Sequence, residues 1–71
     1  MTLDRRRLAA TITRLRRQAG LSQRDLAGKA RISRSTLAGI EAGPAMASLD
    51  TVVALADALG VTVDALIEEA R

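Results

Sequence analysis

The chain has 71 residues, of which 11 are basic and 8 acidic, and it contains no cysteine, no histidine and no aromatic residue. A chain of this length forms one small domain. Without cysteine or histidine it has no disulfide, no zinc site with thiolate or imidazole ligands, and no histidine base or cysteine nucleophile for catalysis. The composition therefore favours a binding protein over an enzyme, and it predicts no cofactor and no metal.

The two halves of the chain carry opposite charge. Residues 1–35 hold ten basic and two acidic side chains, a net charge of +8, whereas residues 36–71 hold one basic and six acidic side chains, a net charge of −5. Such a segregated charge attracts a polyanion to one end of the domain and repels it from the other. Because aromatic rings for stacking on single-stranded bases are absent, double-stranded DNA is the favoured polyanion.

No segment of the sequence predicts export or a membrane span. The arginines near the N-terminus are not followed by a long apolar run, and the apolar stretch over residues 52–56 is far shorter than the roughly 18 residues that a span requires. We expect a cytoplasmic protein that associates with the nucleoid. Because so short a chain builds only a small core, we also expect stabilisation by a second copy, in a homodimer.

Helical spacing of apolar residues, together with residues that cap helices, predicts the first two helices. Helix 1 covers about residues 4–19 and ends before Gly20. Its apolar face consists of Leu8, Ile12, Leu15 and Ala19. Ser22, with Asp25 three positions later, predicts the start of helix 2, which extends to about Ala30.

The same signals predict three more helices. Ser33, Ser48 and Thr62 mark the starts of helices 3, 4 and 5; helix 3 covers about residues 34–42, and Gly60 separates helices 4 and 5. The apolar stripe predicted for helix 4 consists of Leu49, Val52, Val53, Ala56 and Leu59. No alternating apolar pattern lies between hairpin turns. The predicted fold class is therefore all-α, a compact five-helix bundle formed by residues 1–71 as a single domain.

Helices 2 and 3 are short and closely spaced, as in a helix-turn-helix, whose second helix lies in the major groove of DNA. Residues 21–43, LSQRDLAGKARISRSTLAGIEAG, resemble the helix-turn-helix of the Cro and phage-repressor family, also called Xre, and residues 48–66 resemble its fourth and fifth helices. The likeness covers about residues 8–67. It implies a lambda-repressor-like bundle that binds double-stranded DNA sequence-specifically as a small prokaryotic or phage transcriptional regulator, a repressor in particular.

The resemblance and the charge pattern assign roles to individual residues. The residues expected to face DNA bases are Ser33, Arg34, Ser35, Ala38 and Gly39. The residues expected to contact phosphates are Gln23, Arg24, Lys29, Arg31, Thr36, Arg5, Arg6 and Arg7. Arg16 and Glu41 match a pair that forms a structural ion pair between helices 1 and 3 in the family. Arg34 is the strongest candidate base reader, because a guanidinium binds O6 and N7 of guanine together.

Two departures from the family pattern affect this assignment. Arg31 stands where the family has glycine in the turn, and a left-handed conformation there costs a non-glycine residue roughly 1 kcal/mol. Ala38, Gly39 and Ala42 leave the reading face of helix 3 bare. Two interpretations stay open. Either the alanines contact thymine methyl groups and the glycine permits close approach, or base discrimination is weak and phosphate contacts supply the affinity.

The dimer surface is predicted in helix 5 and the connection before it, at Val63, Leu66, Ile67 and Ala70, although Leu66 is also a candidate for the monomer core. Two copies would bind a palindromic operator with half-sites about one helical turn apart. The alternative function is a protein-interaction module, such as an antitoxin or a phage accessory factor. In that case the bare face of helix 3 packs against a toxin or another regulator.

Overall fold

Five α-helices make up the part of the chain that the structure, a computed structural model, describes, namely residues 4–43 and 47–71. In chain order they are α1 (Arg5–Gln18), α2 (Gln23–Ala30), α3 (Arg34–Ala42), α4 (Leu49–Leu59) and α5 (Val63–Ala70). Neither described range contains a strand. The five predicted helices and the all-α class are confirmed, and α1 is one residue shorter at each end than predicted.

Each helix begins after a residue whose side-chain oxygen accepts hydrogen bonds from the backbone of the first turn. The predicted caps of α2 to α5 are confirmed at Ser22, Ser33, Ser48 and Thr62. Ser22 and Asp25 bind each other's backbone N–H groups at 3.0 Å, the reciprocal arrangement of a capping box. These caps satisfy N–H groups that have no partner inside the helix, which is why local sequence predicts the helix starts so well.

α1 begins with a cap that the sequence analysis does not identify. The carboxylate of Asp4 accepts hydrogen bonds from the backbone N–H groups of Arg6 at 2.9 Å and Arg7 at 3.4 Å. A negative charge at this end complements the helix dipole. Asp4 therefore offsets part of the unfavourable interaction between the dipole and the arginines of the first turn.

The centre of the core holds one fully buried aliphatic side chain from each helix. These are Ile12, Leu26, Leu37, Leu55 and Leu66. α1 packs mainly against α5, and α2 packs mainly against α4 and α3. Because every helix contributes one such side chain, the five helices share a single core.

Two residues predicted for the dimer surface belong to the monomer core. Leu66 and Ala70 are fully buried among the core residues. A side chain without exposed area has none left to bury against a second copy, so their assignment to a dimer surface is corrected. Val63 and Ile67 are half-buried and keep part of their surface exposed.

The apolar stripe predicted for α4 is wider than the face that the helix buries. Val52 and Ala56 are buried, but Leu49 is 71% exposed and Val53 39% exposed. α4 buries the side that packs against α2, α5 and α1. Leu49 and Val53 lie at its outer edge, because successive residues of a helix are rotated by about 100°.

Candidate nucleic-acid interface

A three-residue turn joins α2 to α3, and its first residue is in the left-handed conformation. Arg31 has φ 58° and ψ 42°, and it is the only residue other than glycine with positive φ among the described residues. The backbone N–H of Ile32 donates to the carbonyl of Ala27 at 3.0 Å, which closes the end of α2. The left-handed conformation considered for Arg31 from the sequence is therefore present, and its side chain is exposed.

The first turn of α3 presents one free cation beside two hydroxyl groups that bind each other. The Ser33 hydroxyl accepts from the Thr36 backbone N–H at 3.0 Å and donates to the Thr36 hydroxyl at 2.8 Å. Arg34 and Ser35 are exposed, and neither side chain makes a hydrogen bond or ion pair with another described residue. Arg34 is thus available for an external acceptor, whereas the hydroxyl groups of Ser33 and Thr36 serve the helix cap.

The outward face of α3 carries small side chains. Leu37 and Ile40 are buried on the inner face. The rotation of about 100° per residue places Ser35, Ala38, Gly39 and Ala42 on the opposite side. Ser35 and Ala42 are exposed, and Ala38 and Gly39 are half-buried. The predicted positions therefore share one face, and its bareness allows the helix backbone to approach another surface closely.

A groove between the beginnings of α2 and α3 brings together residues predicted to contact phosphates and bases. Its lining consists of Arg16, Ser22, Gln23, Arg24 and Arg34. The unpaired N–H groups at the start of α2 and the positive end of its dipole favour an anion. The exposed guanidinium groups of Arg24 and Arg34 add two full charges. This groove therefore has the chemistry of an anion site.

Gln23 does not point its amide freely into this groove. Its side-chain N–H donates to Oε1 of Glu41 at 3.2 Å, and Glu41 also binds Arg16. Burial raises the pKa of Glu41, but the hydrogen bonds from Arg16 and Gln23 outweigh it and hold this pKa below its ordinary value. The structural ion pair implied by the family resemblance is present, and Gln23 extends it to α2.

A second groove lies at the other end of α3. Its lining consists of Asp4, Arg5, Arg6, Ala42 and Gly43. The beginning of α1 thus places two of the three predicted N-terminal arginines beside the end of α3. Arg7 differs, because its guanidinium donates to the carbonyl of Arg71 at the end of α5. The sequence missed Asp4 as part of this region, although an aspartate just before a helix is a recognisable cap signal.

The other predicted phosphate-binding cations lie outside both grooves. Lys29 is exposed in the last turn of α2, where its charge also complements the negative end of the helix dipole. Arg31 is exposed in the turn between α2 and α3. Both cations belong to the helix-turn-helix itself, so the positive charge of this region does not depend on the grooves alone.

The described part of the chain offers no site for a metal and no membrane-spanning helix. Over residues 4–43 and 47–71, no three acidic, cysteine or histidine residues gather into a group that could hold a metal ion. The helices of these ranges are too short or too polar to cross a bilayer.

The fold is that of a helix-turn-helix domain of the kind found in transcriptional regulators. The sequence profile of the helix-turn-helix family HTH_3 matches residues 12–66, and the chain belongs to this family. The family consists of transcriptional regulators rather than enzymes. This assignment agrees with the Xre-type resemblance carried by residues 21–43.

Relatives of known identity share the fold along most of the chain. The HTH-type transcriptional regulator DdrOP3 of Deinococcus deserti is 39% identical over 62 residues, which are 87% of this chain and 48% of the relative. The chain thus spans about half the length of this curated relative. The restriction-modification controller protein C.AhdI of Aeromonas hydrophila is 33% identical with a TM-score of 0.85, over 89% of this chain and 96% of the controller.

A longer regulator has the same architecture. The clp gene regulator ClgR of Corynebacterium glutamicum superposes with a TM-score of 0.89 at 30% identity, over 97% of this chain and 73% of the regulator. The same bundle therefore occurs in regulators of different length.

Proposed function

We propose that this chain binds double-stranded DNA sequence-specifically, with α3 in the major groove, and that residues 1–71 act as one helix-turn-helix domain of a transcriptional repressor. One observation carries the proposal: Arg34 is exposed and unpartnered at the start of α3, and arginine-lined grooves lie at both ends of that helix. α3 has nine residues, so it is about 13 Å long. The major groove of DNA is about 12 Å wide. With α3 lying in it, the arginine-lined protein grooves at the two ends of the helix can meet the phosphates of opposite DNA strands.

Base reading is proposed to centre on Arg34 and Ser35. Arg34 binds a guanine through O6 and N7, and Ser35 lies next to it on the outward face. The Ser33 hydroxyl is held by the cap, so Ser33 contributes mainly by positioning this turn. Ala38 is proposed to lie against a thymine methyl group, and Gly39 is proposed to let the helix backbone approach the bases closely. Replacing thymine by deoxyuridine in a selected site removes only the methyl group, and weaker binding is expected at the position that Ala38 faces.

Phosphate binding is proposed to occur in two clusters. Arg24 and the backbone N–H groups at the start of α2, at Gln23, form one cluster. Arg5 and Arg6 form the other. The exposed side chains of Lys29 and Arg31 add charge outside the two clusters. Arg7 and the hydroxyl of Thr36 are weaker candidates, because both already have partners within the domain.

Selection of binding sites from a random duplex pool, followed by binding measurements across a salt series, tests this function. We expect enrichment of a defined sequence. The logarithm of the binding constant should fall linearly with the logarithm of salt concentration, because binding releases cations from the DNA phosphates. Arg24→Ala should reduce that slope by about one unit. Arg17→Ala is the matched control, because Arg17 is exposed on α1 outside both grooves. Failure to enrich any sequence would contradict specific recognition.

The active form is proposed to be a homodimer on a palindromic operator. The half-exposed surfaces of Val63 and Ile67 on α5 are the remaining candidates for the contact. Ile67→Asp should shift the sedimentation mass from dimer to monomer and weaken binding to a palindrome much more than binding to a single half-site. A dimer that persists in this variant would place the contact elsewhere.

The biological setting is proposed from the relatives. They are called a transcriptional regulator, a clp gene regulator and a restriction-modification controller. These names support a regulatory role. We propose that the chain performs it on DNA in the cytoplasm, at the nucleoid, without enzymatic activity. The bare outward face of α3 favours one alternative function, a protein-interaction module such as an antitoxin. The absence of any salt-dependent binding to duplex DNA would favour that alternative.

A further inference from the structure

α4 presents a stripe of two aliphatic and two acidic side chains to solvent. We call Leu49, Asp50, Val53 and Asp57 the α4 stripe. Leu49, Val53 and Asp57 follow one another at intervals of four residues, and Asp50 lies three residues before Val53, so the four side chains span about 100° on one side of the helix. Leu49 and Val53 are the two exposed large hydrophobic residues of the described chain, at 71% and 39%. Val52, Leu55 and Ala56 fill the opposite, buried face of the same helix. The side chains of the stripe therefore do not take part in the core.

The two carboxylates of the stripe have no counterion among residues 4–43 and 47–71. Neither Asp50 nor Asp57 forms a hydrogen bond or ion pair through its side chain with another described residue. The acidic residues of α5 behave differently, since Glu69 pairs with Arg14 and Glu68 with Arg71. Asp57 also lies in the last turn of α4, where a negative charge opposes the helix dipole and no basic residue compensates. The stripe thus combines unpaired charge with exposed apolar surface.

We propose that the α4 stripe is a docking surface for a partner protein, which binds through a helix carrying two aliphatic side chains flanked by arginine or lysine. Charge complementarity selects this occupant. The aliphatic side chains would cover Leu49 and Val53, and the flanking cations would neutralise Asp50 and Asp57. DNA is excluded from this surface by the same carboxylates.

A second copy of the chain is a poor occupant. A two-fold contact centred on the stripe brings each carboxylate against the carboxylates of the other copy, and like charges in an interface oppose association. The stripe also lies outside the DNA-binding region. The main neighbours of α4 are α2, α5 and α1, whereas Arg34 lies on α3. No residue of the stripe lines either groove of the proposed DNA interface, and this inference does not depend on the proposed DNA function.

Chemical-shift mapping by NMR on the ¹⁵N-labelled full chain tests the proposal directly. The probe is a synthetic amphipathic helical peptide with leucines at positions i and i+4 and flanking arginines. The controls are a scrambled peptide of equal composition and a peptide with glutamates in place of the arginines. We expect the first peptide alone to bind in a saturable manner, with the largest shifts over residues 49–57. Shifts spread over all acidic residues, or equal binding of the scrambled peptide, would overturn the proposal.

Two pairs of variants separate the contributions of the stripe. Leu49→Ser with Val53→Ser, and Asp50→Asn with Asp57→Asn, should each weaken binding of the peptide by about tenfold. Asp64→Asn with Glu68→Gln removes equal charge from α5 and should change the affinity less than about twofold. Circular dichroism verifies that each variant is folded. The NMR mapping uses the unmodified chain, so it tests the proposal even if a variant does not fold. If the control pair weakens binding equally, or the Leu49 and Val53 pair dissociates a homodimer, the proposal is wrong.

Discussion

Arg16 and Glu41 join α1 to the reading helix α3 through two parallel hydrogen bonds. Nε of Arg16 lies 2.8 Å from Oε2 of Glu41, and Nη2 lies 3.0 Å from Oε1. The third donor, Nη1, binds the carbonyl of Leu21 at 2.9 Å, just before α2. The side chains are only 10% and 5% exposed. One guanidinium therefore fixes the relative positions of α1, the start of α2 and α3.

Removing one member of this pair should destabilise the fold strongly. In Glu41→Ala the buried guanidinium of Arg16 loses its counterion, and we expect the free energy of unfolding to fall by about 3 kcal/mol. Glu69→Ala is the matched control, because it breaks an ion pair between α1 and α5 whose side chains are about half exposed. Its effect should be below about 1 kcal/mol. Urea denaturation followed by circular dichroism measures both, and equal losses would refute a structural role specific to Glu41.

The same pair makes the stability depend on acid. Hydrogen bonds from Arg16 and Gln23, which outweigh the opposing effect of burial, hold the pKa of Glu41 in the folded state below its ordinary value of 4.5. The unfolded chain therefore takes up this proton first as the pH falls. The stabilisation by Glu41 is complete at neutral pH, begins to decline near the ordinary value and is lost below the folded pKa.

Urea midpoints measured between pH 7 and pH 3 test this dependence. Glu41→Gln should flatten the curve. A smaller dependence of the urea midpoint on pH should remain because of Asp25. Hydrogen bonds from the backbone and side chain of Ser22 lower the pKa of Asp25 as well. A curve for Glu41→Gln that is parallel to that of the unmodified chain would show that Glu41 does not titrate differently in the two states.

Replacing the left-handed Arg31 by glycine should raise the stability of the fold and lower its affinity for DNA. Arg31→Gly relieves the strain of a side chain at φ 58° and should raise the free energy of unfolding by up to about 1 kcal/mol. The loss of one cation should weaken binding to all duplexes alike and reduce the salt slope by about one unit. Arg31→Lys should keep the slope. An unchanged slope in Arg31→Gly would mean that Arg31 makes no phosphate contact.

The cap of α3 should affect DNA recognition more than the cap of α4. Ser33→Ala and Ser48→Ala each remove a hydroxyl that accepts one backbone hydrogen bond, and each should cost about 1 kcal/mol of stability. Only Ser33 holds the turn that carries Arg34. Fluorescence polarisation should therefore show a loss of specific affinity for Ser33→Ala alone. Equal losses in the two variants would remove this positioning role.

Local sequence signals predicted the helices. Which side chains are buried depends on how the helices pack, and this could not be predicted from local sequence. The starts of α2 to α5 follow from side chains that cap their own first turn, so neighbouring residues contain the information. The exposure of Leu49 and the burial of Ala70 depend instead on which helix packs on which, and a repeating apolar pattern does not contain that choice. Gln23 and Arg7 show the same limit, because their partners Glu41 and Arg71 are distant in the chain.

The central claim is that Arg34 reads a base in the major groove, and its substitution by alanine tests this most directly. Binding of the unmodified chain and of Arg34→Ala is measured by polarisation on a selected site and on a scrambled duplex of equal composition. We predict that the variant loses about 1–3 kcal/mol on the selected site and much less on the scrambled duplex. Equal losses on the two duplexes would contradict the account, because Arg34 would then contact only the phosphate backbone.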